Sequence, residues 1–274
     1  MTNLVKTDLT RVLKDKLFLV VCILGVVFAL ITPLLYMLLF GAMETPEGFG
    51  MENLISAKAQ FFSSFSLGNN FGLVVPVLIA IILCKDFSFG TVRNKIISGH
   101  SRASIFFSMF ITCAVVLWTI ILLHALLTLG ISLLFFNYQA EEFVMKDFWY
   151  LLESLAFQML VYIFVAALVS WLCASMKNVG LVIVLYVAIM LAMTMIASIL
   201  MMVISVIQFD PSYETTVKVL EFFQKINIFN YATIIGMVPE YTAEDTLYLL
   251  LTPMVGTAAF LALGCLKFAR KDLK

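Results

Sequence analysis

Side chains able to do chemistry are few in this chain, and they lie far apart. The 274 residues include two histidines, His100 and His124, and five cysteines, Cys22, Cys84, Cys113, Cys173 and Cys265. A structural or catalytic metal needs three or four such ligands at short, regular spacing. These cysteines are odd in number and sit in or beside apolar runs, so neither metal ligation nor a disulfide framework is expected of them. No G-x-x-x-x-G-K-[ST] segment is present, so no phosphate cradle of that type is expected and no cofactor is expected to bind this chain. The adjacent carboxylates Glu141 and Glu142 could activate a water only with metal-binding histidines beside them. His124 stands in the middle of an apolar run, where a lone histidine is expected to be a hydrogen-bonded packing residue rather than a proton relay.

The elements that would carry these groups follow from composition. Hydrophobic residues make up 63% of the chain and charged residues 12%, with a mean hydropathy of +1.07. Soluble domains carry about 25% charged residues, and a soluble fold of this size leaves too much area facing water to hide so much apolar surface. A lipid bilayer is the expected solvent for most of the chain. Net charge is zero, so there is no electrostatic case for a nucleic acid partner.

Six charge-free runs, 17–43, 59–84, 103–140, 154–176, 178–209 and 246–266, each hold the roughly 20 residues needed to cross about 30 Å of hydrocarbon as a helix. They predict spans near 17–40, 63–84, 104–134, 154–175, 179–207 and 247–266. The first run is too long for a secretory signal core and has no convincing cleavage pattern after it, so it is read as a retained helix. The hinge Ser175–Asn178 is short enough to force spans four and five into antiparallel packing. Thirteen of the 17 lysines and arginines fall on one side of the six runs, and thirteen of the 17 acidic residues fall on the other. Basic flanks stay inside, which predicts cytoplasmic positions for both termini. The expected fold is an all-α integral membrane protein, one transmembrane domain of six helices without repeats or linkers.

The most informative segment joins spans two and three, residues 85–103: Lys-Asp-Phe-Ser-Phe-Gly-Thr-Val-Arg-Asn-Lys-Ile-Ile-Ser-Gly-His-Ser-Arg-Ala. Phe89, Val92 and Ile96 follow an i, i+3, i+7 pattern with Arg93, Asn94 and Lys95 directed elsewhere, which predicts a short amphipathic helix. Gly99 can end it in a left-handed conformation, and Ser101 can N-cap the next span. Residues 2–16 predict a second amphipathic helix, with Leu4, Val5, Leu9, Val12 and Leu13 on a broad face and Asp8 and Asp15 intruding at its edge, a pattern suited to the membrane interface.

This loop resembles that of the type-2 ABC exporter permeases, a bacterial family with six spans per subunit. In that family an acidic residue, Gly-Thr, a basic or polar helix, a glycine and Ser-Arg follow span two. The matching positions here are Asp86, Gly90-Thr91, Arg93-Asn94-Lys95, Gly99 and Ser101-Arg102. Met109 departs from the family, whose members often carry a lysine early in span three. The resemblance implies that Asp86, Phe89, Gly90, Thr91, Arg93, Asn94, Lys95, Gly99 and Arg102 form a coupling element for a separate cytoplasmic ATP-binding subunit, present in two copies and carrying the ATP and Mg. It further implies an N-terminal interfacial helix, short extracellular helices in the connection 208–246, a second permease subunit (identical or related) and a bacterial plasma membrane. An apolar, methionine- and phenylalanine-rich bundle suits peptides or other amphipathic cargo.

Close helix contacts in lipid rest on small residues, and Ala166, Ser170 and Ala174 recur every four residues on span four; Gly68-x-x-x-Gly72 opens span two. Two other classes of function remain open on sequence. One is an energy-independent channel or secondary transporter, although the charge-free spans lack the buried ionisable groups that coupling uses. The other is an intramembrane protease: Glu141–Glu142 is similar to the glutamate pair of intramembrane prenyl-protein proteases. That family also needs a following arginine and later histidines, where this chain has Lys146 and no histidine after His124.

Overall fold

Where a chain in lipid must satisfy every backbone polar group internally, an uncharged apolar run can only close on itself as a helix. The computed structural model describes residues 2–40, 56–137, 144–176, 178–230, 235 and 240–270, and they contain no strand. The helices are α1 (Thr2–Lys14), α2 (Lys16–Phe40), α3 (Ala57–Phe65), α4 (Asn70–Ser88), α5 (Thr91–Ile97), α6 (Arg102–Phe135), α7 (Met145–Ser175), α8 (Val179–Ile207), α9 (Glu214–Ile226) and α10 (Ala243–Ala269). Five of them, α2, α6, α7, α8 and α10, are long and apolar enough to span a membrane. The sixth candidate is α4, which meets α5 at a 53° bend.

The second expected span departs from its predicted bounds. The run 63–84 is not one helix: α3 ends at Phe65, a turn occupies residues 66–69, and α4 begins at Asn70 and continues to Ser88. The reason is local polar chemistry inside an uncharged stretch. Short polar side chains offer the backbone alternatives to the helix ladder. The Ser66 amide turns back to the Ser63 carbonyl at 3.0 Å, which the Asn69 side chain also reaches at 3.1 Å. Lys85 and Asp86, expected in the loop, ride on the last turn of α4.

The core lies along α6 and α7, whose most apolar stretches are 61% and 67% buried, against 17–22% for α2, α8 and α10. The outer three turn leucine, isoleucine, valine and methionine outward, as a lipid-facing surface does. Small residues make the seams. On α2 a stripe of Val21, Gly25, Ala29 and Pro33 is buried, and Ala166, Ser170 and Ala174 of α7 are fully buried. Gly264 of α10 receives the Phe106 ring, which would lie 2.2 Å from any added Cβ. Of the Gly68-x-x-x-Gly72 pair only Gly72 is a contact, with the Ser66 carbonyl oxygen 2.5 Å from where a Cβ would stand; Gly68 is exposed in the turn. His124 is a packing residue: its Nδ1 lies 3.0 Å from the Gly25 carbonyl and its ring 4.2 Å from that of Phe71. α7 ends at Ser175, and α8 starts at Val179 with Asn178 Oδ1 accepting the Gly180 amide at 2.9 Å. Glu141 and Glu142 lie outside the described residues.

Candidate functional site: a turn helix on an ionic anchor

Between α4 and α6 the chain makes a compact protrusion bounded by two left-handed glycines, Gly90 (φ +68°) and Gly99 (φ +89°). Nothing lies within 4 Å of a Cβ built on either, so glycine is required there by backbone conformation alone. Any other L-residue pays about 1–2 kcal/mol for the left-handed state. Past the end of α5 the Gly99 amide bonds the Ile96 carbonyl (2.9 Å) and the His100 amide reaches back to Lys95 (3.2 Å), the bond pattern that satisfies orphan carbonyls at a helix end. Ser101 Oγ then accepts the Ser104 amide at 3.2 Å and starts α6, so the expected cap and stop are both present.

The protrusion is fastened by buried ions. On α1, Leu4, Asp8 and Val12 are buried, one stripe at four-residue spacing. Asp8 is therefore at the centre of the inward face, where it accepts Lys95 Nζ of α5 at 2.5 Å and Ser108 Oγ of α6 at 2.7 Å. Lys95 also lies 3.2 Å from Asp86 of α4, and Asp86 pairs with Arg11 of α1. Next to this cluster, Lys85 of α4 grips both oxygens of Asp15 at 2.6 and 2.8 Å. Arg102 Nη1 donates to the last carbonyls of α10, Phe268 at 3.4 Å and Ala269 at 2.9 Å. Four helices, α1, α4, α5 and α6, thus meet in one polar joint at the basic end of the bundle, and Arg102 separately ties α6 to the end of α10.

Charges this deep are costly unless paired, and their titration reflects it. Burial pushes the Lys95 ammonium below its ordinary range, an effect that the bond and charge of Asp8 only partly offset. The Arg11 guanidinium is lowered too, by burial first, against the pull of Asp8 and Asp15. Burial would raise the Asp15 carboxyl. The Lys85 hydrogen bond, the Leu17 amide and the charges of Lys85 and Arg11 together outweigh it, so the group is held below the usual carboxylate range.

The expected coupling residues separate into two sets. Asp86 is buried and the Lys95 side chain is only 11% exposed, so both face inward as anchors. Val92 is buried and Ile96 half-buried, as an apolar inner face requires. Phe89 does not join that face. It belongs to the turn after α4 and stands out at 77% exposure, while Ile97, expected nowhere, stands out at 74%. Arg93 and Asn94 are exposed between them and Thr91 is half-buried; within α5, Arg93 and Ile97 share one outward face at four-residue spacing. Asp8 and Ser108 went unassigned in the sequence. An acid at the midpoint of an apolar stripe was the available signal, because such a group must meet a cation on whatever covers it.

The opposite end is held mainly by neutral groups, beside one partly buried ion pair, Lys58–Asp147 at 3.5 Å. The Gln158 and Tyr162 side chains both donate to the Phe65 carbonyl (2.5 and 3.0 Å), Ser132 Oγ donates to Gln60 at 2.8 Å, and the Ser154 and Tyr241 hydroxyls lie 2.7 Å apart. Amphipathic α9 occupies part of the 208–246 connection, has no buried residue and exposes Val219, Phe222, Phe223 and Ile226. Deeper in the bundle the thiols of Cys84 (α4) and Cys173 (α7) lie 3.0 Å apart, a contact their separation of 89 residues gave no reason to expect. Among the described residues no group of three His, Cys, Asp or Glu side chains is placed to hold a metal ion.

The class that fold and site define is a helical, multi-pass membrane protein. No protein-family model matches the chain, and no curated protein matches it.

Proposed function

We propose that the chain is the six-span permease subunit of an ATP-driven exporter for peptides or other amphipathic compounds. Both termini lie in the cytoplasm, and a separate ATP-binding subunit docks on the turn helix. The observation that carries this reading is the division of labour in the turn helix and the turn before it: Lys95 and Val92 face the bundle, with Asp86 of α4 as an anchor, while Phe89, Arg93 and Ile97 are exposed. Large exposed apolar residues flanking a cation are the composition of an interface centre, enriched in aromatics and arginine. A short helix held by buried ions to α1, α4 and α6 passes a push to those helices instead of absorbing it. The pathway lies between two permease subunits, since the charge-free spans of one offer no polar channel. ATP and Mg reside on the partner.

The test is co-production with the ATP-binding protein encoded beside it, followed by reconstitution in liposomes. Phe89→Asp with Ile97→Asp is expected to weaken co-purification more than tenfold while the chain elutes as before. Uphill solute movement by the purified chain alone, without nucleotide, would refute the proposal.

A further inference from the structure

A cavity of about 380 Å³ opens at the basic end between the C-terminal ends of α7 and α10, lined by Ser175, Leu263, Leu266, Lys267 and Arg270. Its volume falls in the range of small-ligand sites, roughly 300–1,000 Å³. The four α10 residues follow i, i+3, i+4, i+7 spacing and so share one helix face. Along that face the order is two leucines, then two cations, at the point where the span leaves its apolar stretch. Leu263 and Leu266 are 49% and 61% exposed, so the cavity mouth continues into the lipid-facing surface. Among the described residues no carboxylate lines it and no ion pair involves Lys267 or Arg270. Ser175 Oγ is buried without a hydrogen-bond partner among the described residues, a state that asks for a ligand or water.

From this gradient we infer that the cavity is a binding site for the phosphate headgroup of an anionic glycerophospholipid, of which phosphatidylglycerol is the type. The phosphate sits between Lys267 and Arg270 with Ser175 Oγ as a further donor, and an acyl chain lies along Leu263 and Leu266. A soluble phosphate would gain nothing from the two leucines. Basic pockets between membrane helices at the boundary with water are suited to such headgroups. The carbonyl ends of α7 and α10 bear partial negative charge, which opposes an anion, so attraction rests on the two side chains and removing them should abolish it. The site concerns span ends alone and stands whether or not the chain is driven by ATP.

Native mass spectrometry of the intact chain tests this, after exchange from mixed micelles of phosphatidylglycerol and phosphatidylcholine. The wild type is expected to retain phosphatidylglycerol in preference to phosphatidylcholine, and Lys267→Gln with Arg270→Gln to bind it about 30-fold more weakly. Leu263→Trp fills the cavity without touching the charges and should also displace the lipid, whereas Lys14→Gln, another exposed cation of the basic end, should leave it bound. Equal retention of the two lipids, or binding unchanged in both cavity variants, overturns the site. Displacement by free glycerol phosphate at the concentration of the lipid makes it a soluble-phosphate site and overturns the lipid assignment.

Discussion

At the basic end of the bundle the deepest polar groups are ions; at the acidic end they are amides and hydroxyls, with one partly shielded ion pair, Lys58–Asp147, among them. Asp8, Lys95 and Asp86 are buried together, while Lys146–Glu240 and Lys218–Glu214 run along the opposite surface with side chains 66–73% exposed. Charged groups cost more to bury than neutral ones and lose more when a partner is removed. Exposed pairs contribute little and are screened by salt. The basic end is therefore an all-or-none joint between sequence-distant helices. The acidic end is a set of separable bonds beneath an exposed amphipathic helix. Removing one member should therefore disturb the basic end as a unit and the acidic end piecewise.

Deleting one member of the joint is the sharpest way to break this contrast. Lys95→Ala leaves Asp8 with a single hydroxyl partner and should destabilise the protein by about 3–5 kcal/mol, read as a fall in Tm in nanodiscs. Lys146→Ala should leave Tm unchanged. Equal Tm for the two variants would erase the distinction.

Packing accounts for the next largest effect. Gly72→Ala at the acidic end sets a Cβ against the Ser66 backbone carbonyl, which cannot swing aside, and should cost about 1–3 kcal/mol. A fully stable variant would mean that the turn before α4 is loose.

Tyr162→Phe removes one of two donors to the Phe65 carbonyl and should cost about 0.5–1.5 kcal/mol, since Gln158 still satisfies it. A loss as large as that of Lys95→Ala would show cooperativity at the neutral end as well.

Acid supplies the mildest probe. Asp15 has a folded pKa below its unfolded value of about 3.9, so its stabilising contribution is present above that pH and disappears as pH falls through the folded value. The Tm should decline with acid below about pH 4, and Asp15→Asn should show a shallower decline. Identical acid profiles would remove Asp15 from the joint.

Much of the local structure was legible in the residues. Gly90 and Gly99 bound a turn helix, Ser101 caps α6, and α1 forms over nearly its expected length. Less legible was the site. The i, i+3, i+7 pattern put Phe89 on the inner face because it assumed a helix already running at residue 89, whereas the left-handed Gly90 starts the helix one residue later. The uncharged run 63–84 hid a turn because serine and asparagine carry no charge to interrupt the run, yet their polar side chains satisfy the backbone groups of a turn.

Sequence alone determined that this chain lives in lipid as helices. Hydropathy and short-range backbone chemistry act along the chain, and a bilayer leaves the backbone no other solution. Tertiary structure alone decided which ions meet. Asp8 and Lys95 are 87 residues apart, and each carries a charge that any number of partners could have neutralised. Only the packing of α1 against α6 brings its Asp8 within reach of Lys95 and Ser108.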